Sequence, residues 1–218
     1  MLFTDELYSH VEKIWESYYE HPFVDELGSG KLDKEKFKHY MIQDYLYLLD
    51  YAKVFSLGAI KSEDEETMAK FSSLAEGTLH TEMATHRKYM ERLGITKKEV
   101  ENAKPALANL SYTHYMLAVS YAGGIIEIAV SVLACLWSYE CIGRHLYKKY
   151  GIKDNFYAEW IESYISEEYH ELTIWLLELV NKYAEGINEK KKEKLIDIFV
   201  NTSRFEYIFW DMAYNIEN

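Results

Sequence analysis

The sequence has few residues that interrupt helices, with two prolines and ten glycines among 218 residues. No stretch alternates apolar and polar residues with the period of two that a half-buried strand requires, whereas apolar residues recur at helical spacing nearly throughout. No unit of about 20 to 50 residues repeats along the chain. We therefore predict an all-α fold, a single-domain helical bundle that covers residues 1–218.

Cysteine is equally scarce. The two cysteines, Cys135 and Cys141, lie in one predicted helix, about 240° apart around its axis. They cannot pair with each other without breaking that helix, so we expect two free thiols.

Positive charge is in deficit, with 24 Lys and Arg against 36 Asp and Glu, a net charge of −12. Such a chain repels a phosphate backbone, which argues against a nucleic-acid partner. The most apolar run, Gly123 to Ser138, contains Glu127 and is shorter than the 18 or so apolar residues of a membrane span. Because acidic residues also occur near the amino terminus, we predict a cytoplasmic protein with no membrane partner.

Caps, glycines and prolines divide the chain into about eight predicted helices. A break near Ser163 to Ser166 is expected within the seventh, because short polar side chains compete for backbone groups. The segments are Thr4 to Glu20, Lys34 to Ile60 capped by Asp33, Ser62 to Leu93, a short helix from Thr96, Pro105 to Gly123, Ile125 to Tyr150, Asn155 to Tyr183, and a last helix from Asn188 to Glu217.

Aromatic residues are abundant, with 20 tyrosines and five tryptophans. In the segment "QDYLYLLDY", Asp44, Tyr47 and Tyr51 fall on one helix face. That face fits a core stripe with a solvated acid at its edge. It also fits a pocket wall in which the tyrosines stack on a flat ring and the acid orients it.

Two further segments carry possible catalytic residues. In "ACLWSY", Cys135 shares a face with Tyr139; the cysteine is either a small core residue or a nucleophile whose partner lies on another helix. In "RFEYIFWDMAY", Glu206 lies among aromatic residues. Partial burial would raise its pKa and suit it to proton donation, and exposure on a polar helix face is the alternative.

A metal site is the third possibility. A helical di-iron centre requires Glu-x-x-His motifs on two helices, and this chain has one such motif, Glu167 to His170. Solvated helix faces explain these residues better than a metal site does, and no phosphate loop or Cys-x-x-Cys pair is present. The candidate ligands are His80, Glu82, His86, Glu168 and His170.

Five segments, taken in order, resemble the thiaminase II (TenA) family, whose members have the all-helical haem-oxygenase-like fold. They extend from the second helix to the last. They are "QDYLYLLDYAKVFSLGA", "LSYTHYMLAVSY", "VLACLWSYECIGRHL", "WIESYISEEYHEL" and "SRFEYIFWDMAY". Ala134 stands where the family usually has proline, just before the cysteine.

The resemblance implies a role for seven residues. Cys135 corresponds to the family's nucleophile and Glu206 to the acid that donates a proton to the pyrimidine ring. Asp44 corresponds to the acid that holds the ring's amino group, and Tyr47 to the phenol near the cysteine. The remaining aromatic and hydrogen-bonding positions are Tyr112, Tyr139 and Tyr164.

The implied substrates are aminomethylpyrimidines from degraded thiamin, with thiamin itself often accepted, and the product is hydroxymethylpyrimidine. The implied chemistry needs neither metal nor organic cofactor, and the implied assembly is a homotetramer. One alternative is a haem-oxygenase-like regulatory protein that binds a pyrimidine without hydrolysing it. A second is a helical di-iron oxidase that uses the candidate ligands named above.

Overall fold

The computed structural model describes residues 2–218, and all regular structure within that range is helical. The all-α prediction is confirmed. The helices are α1 (Phe3–Glu20), α2 (Pro22–Gly28), α3 (Lys34–Lys61), α4 (Glu65–Gly77), a π-helical turn (Thr78–Glu82), α5 (Met83–Arg92), α6 (Lys97–Asn102), α7 (Leu107–Ala122), α8 (Ile125–Tyr150), α9 (Ala158–Tyr164), α10 (Glu167–Ala184) and α11 (Glu189–Asn215).

The predicted helix caps Asp33 and Asn188 are confirmed by their hydrogen bonds. The Asp33 side chain accepts from the amide of Glu35 at 2.8 Å, and Asn188 Oδ1 accepts from the amide of Lys191 at 3.0 Å. The expected break near Ser163 to Ser166 is present: α9 ends at Tyr164, and Ser166 caps the start of α10. Side-chain oxygens at these positions satisfy amide groups that the first turn of a helix leaves unpaired.

Three local predictions differ from the structure. Pro105, predicted at the start of a helix, precedes α7, whose N-cap is Ala106. Ser62 does not cap α4: its hydroxyl donates to Gly58 O at 2.8 Å at the end of α3, and Asp64 accepts from the amide of Thr67 instead, at 2.8 Å. Pro22 begins a short helix, α2, that was not predicted. A proline is well suited to that first position because its missing N–H would have had no helical partner.

The chain forms two compact units. Unit 1 contains the described residues up to Leu32 together with Ala129–Trp210. Unit 2 contains Asp33–Ile128 and Asp211–Asn218. The single-domain assignment of the whole chain stays a prediction.

The core of unit 1 is built around Trp15 of α1. Its ring contacts Trp137 of α8, with centroids 5.1 Å apart, and Phe199 of α11, 5.8 Å away. Its indole N–H donates to Ser203 Oγ at 3.0 Å. A buried tryptophan with its N–H satisfied therefore joins three helices.

Unit 2 is organised around the long helix α3. At Gly58 a Cβ atom would lie 2.5 Å from the ring of Phe71, so the close approach of α4 requires glycine at this position. Gln43 fixes the segment before α7, since its side chain donates to Lys104 O at 3.0 Å and accepts from the amide of Ala106 at 2.9 Å. The helix that carries Asp44 and Tyr47 is thereby held against α4 at Gly58 and against the segment before α7 at Gln43.

Helix α8 is long and apolar enough, by length and composition, to cross a membrane. However, 83% of its most apolar window is buried within the protein. The core helix of a globular protein has the same composition, and burial of this extent is typical of such a helix.

Candidate active site

The seven predicted site residues are distributed over both units. Unit 1 contains Cys135, Tyr139, Tyr164 and Glu206. Unit 2 contains Asp44, Tyr47 and Tyr112.

Cys135 and Tyr139 lie one helical turn apart on α8. Cys135 is half-buried and Tyr139 is buried. Neither cysteine forms a disulfide, so the prediction of two free thiols is confirmed. Residual exposure distinguishes Cys135 from a fully buried core cysteine, which would be inert.

An aromatic cluster adjoins Tyr139 in unit 1. The ring of Tyr164 lies 4.9 Å from that of Tyr139, and the ring of Trp210 lies 5.2 Å from it. Gly143 lets α9 approach α8, because a Cβ atom there would lie 3.1 Å from the Tyr164 side chain. The structure therefore brings Tyr139 and Tyr164 together, as two members of one site require.

Glu206 is 2% exposed on α11. The sequence left burial and exposure open for this residue, and the structure shows that it is buried. A buried carboxyl group is expensive unless it is neutral or well partnered, so its position favours a functional role over a solvated helix face.

Tyr18 of α1 is a neighbour of these groups that the sequence did not single out. Burial, followed by the negative charge of Glu206, raises its pKa well above the ordinary value, and Cys135 contributes in the same direction. Its hydroxyl donates to the backbone oxygen of Ser203. Tyr18 thus lies within electrostatic range of both predicted catalytic groups. Tyr18 follows Trp15 by three residues on the apolar face of α1, and this helical spacing in the sequence indicates that Tyr18 is buried.

In unit 2 the predicted aromatic face of α3 is buried. Tyr47 stacks on Tyr51 with ring centroids 5.2 Å apart, and the ring of Tyr112 on α7 lies 5.2 Å from that of Tyr47. Asp44 is buried on the same face. A solvated acid at the edge of a core stripe is therefore excluded.

Asp44 is paired with a histidine that the sequence suggested only as a metal ligand. His86 Nε2 lies 2.5 Å from Asp44 Oδ2, and the side chains are 5% and 8% exposed, respectively. The other ring nitrogen of His86 lies 3.0 Å from Glu82 O. The signal in the sequence was the spacing of His86 from Met83 and Tyr89, which places it on the buried face of α5.

The proposed metal ligands do not form a metal site. Within residues 2–218, no group of three or more His, Cys, Asp or Glu side chains is arranged to hold a metal ion. His80 is exposed, and His170 Nδ1 is engaged by Glu140 Oε1 at 2.6 Å.

Known proteins resemble this chain over its whole length. The model of the TENA/THI-4/PQQC family matches residues 8–216. A curated protein of Halalkalibacterium halodurans named aminopyrimidine aminohydrolase is 48% identical over 216 residues, which cover 99% of this chain and 96% of that protein.

Solved structures give the same result for the fold. A TenA homologue from P. horikoshii superimposes with a TM-score of 0.90 at 34% identity and covers 99% of both chains. A domain of unknown function with a haem-oxygenase-like fold from Shewanella denitrificans has a TM-score of 0.75 at 15% identity, over 98% of this chain and 92% of that one. The haem-oxygenase-like fold is confirmed, and the chain belongs to the TENA/THI-4/PQQC family.

Proposed function

We propose that this chain is an aminopyrimidine aminohydrolase of thiamin salvage. It converts 4-amino-5-aminomethyl-2-methylpyrimidine and water into hydroxymethylpyrimidine and ammonia. The observation that carries the proposal is the 48% identity, over nearly the whole chain, to a relative with that name. A half-buried thiol at Cys135 and a buried carboxyl at Glu206, both in unit 1, support it.

The first chemical step is addition of the Cys135 thiolate to a ring carbon next to the carbon that bears the aminomethyl group. A C–S bond forms, the ring electron pair moves to the adjacent ring nitrogen, and Glu206 protonates that nitrogen. This is nucleophilic catalysis assisted by a general acid. Addition interrupts the aromatic ring and turns its 4-amino group into part of an enamine.

The side-chain amine is an alkylammonium group, so the enamine expels it as neutral ammonia and leaves an exocyclic methylene group. Water adds to this methylene and gives a proton to the released ammonia, the C–S bond breaks, and the ring nitrogen returns its proton to Glu206. The cysteine and the glutamic acid are both regenerated. Because the electron pair that expels ammonia comes from the 4-amino nitrogen, positive charge develops there during expulsion.

The resemblance assigns Asp44 to this amino group. A carboxylate that accepts a hydrogen bond from it would bind the ring and stabilise the developing positive charge. The tyrosines supply flat apolar surface for a flat substrate, with a contribution of about 1 kcal/mol per ring pair beyond area burial. The homotetramer and the cytoplasmic location stay predictions.

The test is release of ammonia from the aminomethylpyrimidine by the wild type and by Cys135→Ala. We expect Cys135→Ala to lose turnover by about 10⁴-fold or more while it still binds hydroxymethylpyrimidine in calorimetry. Cys141→Ala is the matched control on the same helix. Burial, with the charge of Glu140, raises the pKa of Cys141 to about 11, so this thiol stays protonated and its removal should leave turnover unchanged.

Two results would contradict the proposal. Near-normal turnover by Cys135→Ala would remove the cysteine from the mechanism. Binding of the aminopyrimidine by the wild type without ammonia release would identify a pyrimidine-binding protein that is not a hydrolase.

A further inference from the structure

The Asp44–His86 pair has one carboxylate oxygen engaged and one available. Asp44 Oδ2 lies 2.5 Å from His86 Nε2. Oδ1 receives no hydrogen bond from the part of the chain that the structure describes. A side chain held at one oxygen has a fixed orientation, so the direction of the lone pairs on Oδ1 is also fixed.

The hydrogen bonds of the ring determine where the proton of His86 lies. Nδ1 lies 3.0 Å from Glu82 O, and since a carbonyl oxygen can only accept, Nδ1 must carry a hydrogen. A proton then lies between Nε2 and Asp44 Oδ2. When it is on Nε2, the pair is an imidazolium and a carboxylate.

The surroundings favour this ionic form. Burial alone would lower the pKa of His86, but the hydrogen bond and the charge of Asp44, together with Glu82, raise it on balance. The charged imidazolium donates its Nε2–H to Asp44 Oδ2, and this buried, charge-assisted hydrogen bond fixes the position of the carboxylate.

We propose that His86 is a positioning and specificity-determining residue: through Nε2 it holds Asp44 as an oriented carboxylate, whose free Oδ1 selects a 4-aminopyrimidine over the corresponding 4-oxopyrimidine. An amino group donates to Oδ1, whereas an oxo group presents lone pairs to it and is repelled. The inference rests on the proposed function, because the pyrimidine comes from there.

Removing His86 takes away the contact that holds Asp44 at Oδ2. The carboxyl group can then turn about its Cβ–Cγ bond, so Oδ1 no longer has a fixed direction toward the ring substituent. The variant should therefore lose discrimination, not only affinity. A structural role for His86 would weaken binding of both pyrimidines and leave their ratio unchanged.

The experiment measures, by calorimetry, the Kd of hydroxymethylpyrimidine and of its 4-oxo counterpart. We expect the wild type to prefer the amino compound by about 100-fold and His86→Leu by less than about 10-fold. His86→Gln can still donate to Asp44 but carries no charge, so its ratio should lie between these. His80→Leu, an exposed position on the π-helical turn, is the control and should keep the wild-type ratio.

Thermal unfolding of each variant accompanies the binding measurements, and His86→Gln decides the question if His86→Leu does not fold. A wild-type ratio in folded His86→Gln and His86→Leu would overturn the inference. Because binding needs no turnover, a wild type that discriminates but releases no ammonia would refute the proposed hydrolase and uphold the role of His86. A wild type that binds neither pyrimidine would overturn both.

Discussion

Each unit contains a buried carboxylate paired with a histidine, and the two pairs are built differently. In unit 2, Asp44 and His86 are both buried, at 8% and 5% exposure. In unit 1, Glu140 is equally buried at 6%, but its histidine, His170, is 46% exposed. Glu140 Oε1 also accepts from Arg144 at 2.6 Å.

The difference lies in how the negative charge is compensated. Arg144 is always charged and reaches Glu140 from solvent, so the state of His170 matters little to that carboxylate. Among the described residues, Asp44 is held by one partner, His86, which is itself buried. We therefore interpret Glu140, which has two partners, as a carboxylate that stabilises the fold. We interpret Asp44, which is held by His86, as a carboxylate that recognises the substrate.

The largest expected effect comes from removing each histidine in turn. His86→Leu leaves Asp44 buried without a counter-charge and should lower the free energy of unfolding by about 3 kcal/mol. His170→Leu should lower it by less than about 1 kcal/mol, because Arg144 still holds Glu140 and His170 is half exposed. Urea unfolding at neutral pH measures both values. Equal losses would show that the two pairs are equivalent.

The second prediction concerns Glu140, which is paired with both Arg144 and His170. Arg144→Gln alone should cost about 0.5 kcal/mol, since the pair is partly exposed and His170 remains. The double variant Arg144→Gln/His170→Leu should cost about 2 kcal/mol, more than the sum of the single losses, because Glu140 then resembles Asp44 without His86. A double-mutant cycle in urea unfolding gives the coupling energy. Strict additivity would mean that neither partner replaces the other.

A contact of Glu140 could be predicted from the sequence, whereas the contact of Asp44 with His86 could not. Glu140 and Arg144 lie four residues apart on one helix, a spacing that predicts their contact. Asp44 and His86 are 42 residues apart, and no local pattern joins them. Helix periodicity left open whether Asp44 and His86 are solvated or buried, and it cannot determine which helices meet.

The same contrast between local and long-range contacts holds for the fold and for the candidate site. Caps such as Asp33 and Asn188 were predicted because they act within a few residues. The burial of Glu206 and the presence of Tyr18 near it and Cys135 depend on packing between α1, α8 and α11. The roles of the seven residues came from the ordered resemblance to a family, which carries long-range information that periodicity lacks.

An effect confined to high pH is expected at Glu82, the second acid beside His86. Burial raises its pKa to about 7 from an ordinary value of 4.5, opposed by His86 and reinforced by the charge of Asp44. A raised pKa means that the folded protein holds this proton more tightly than the unfolded chain does. The contribution of Glu82 to stability is therefore fully present below about pH 4.5 and is lost as the pH rises through about 7.

Glu82→Gln cannot ionise and should escape this loss. Its free energy of unfolding should match that of the wild type near pH 4.5 and exceed it by about 3 kcal/mol at about pH 8.5. Urea unfolding across this range measures the difference, with the low-pH value as the internal control. A constant offset between the two curves would mean that Glu82 does not change its charge there. A difference that grows with pH would show that Glu82 loses its proton in the folded protein and that this loss costs stability. Unit 2 would then contain a buried acid that ionises without an arginine partner, unlike Glu140 of unit 1, which is paired with Arg144.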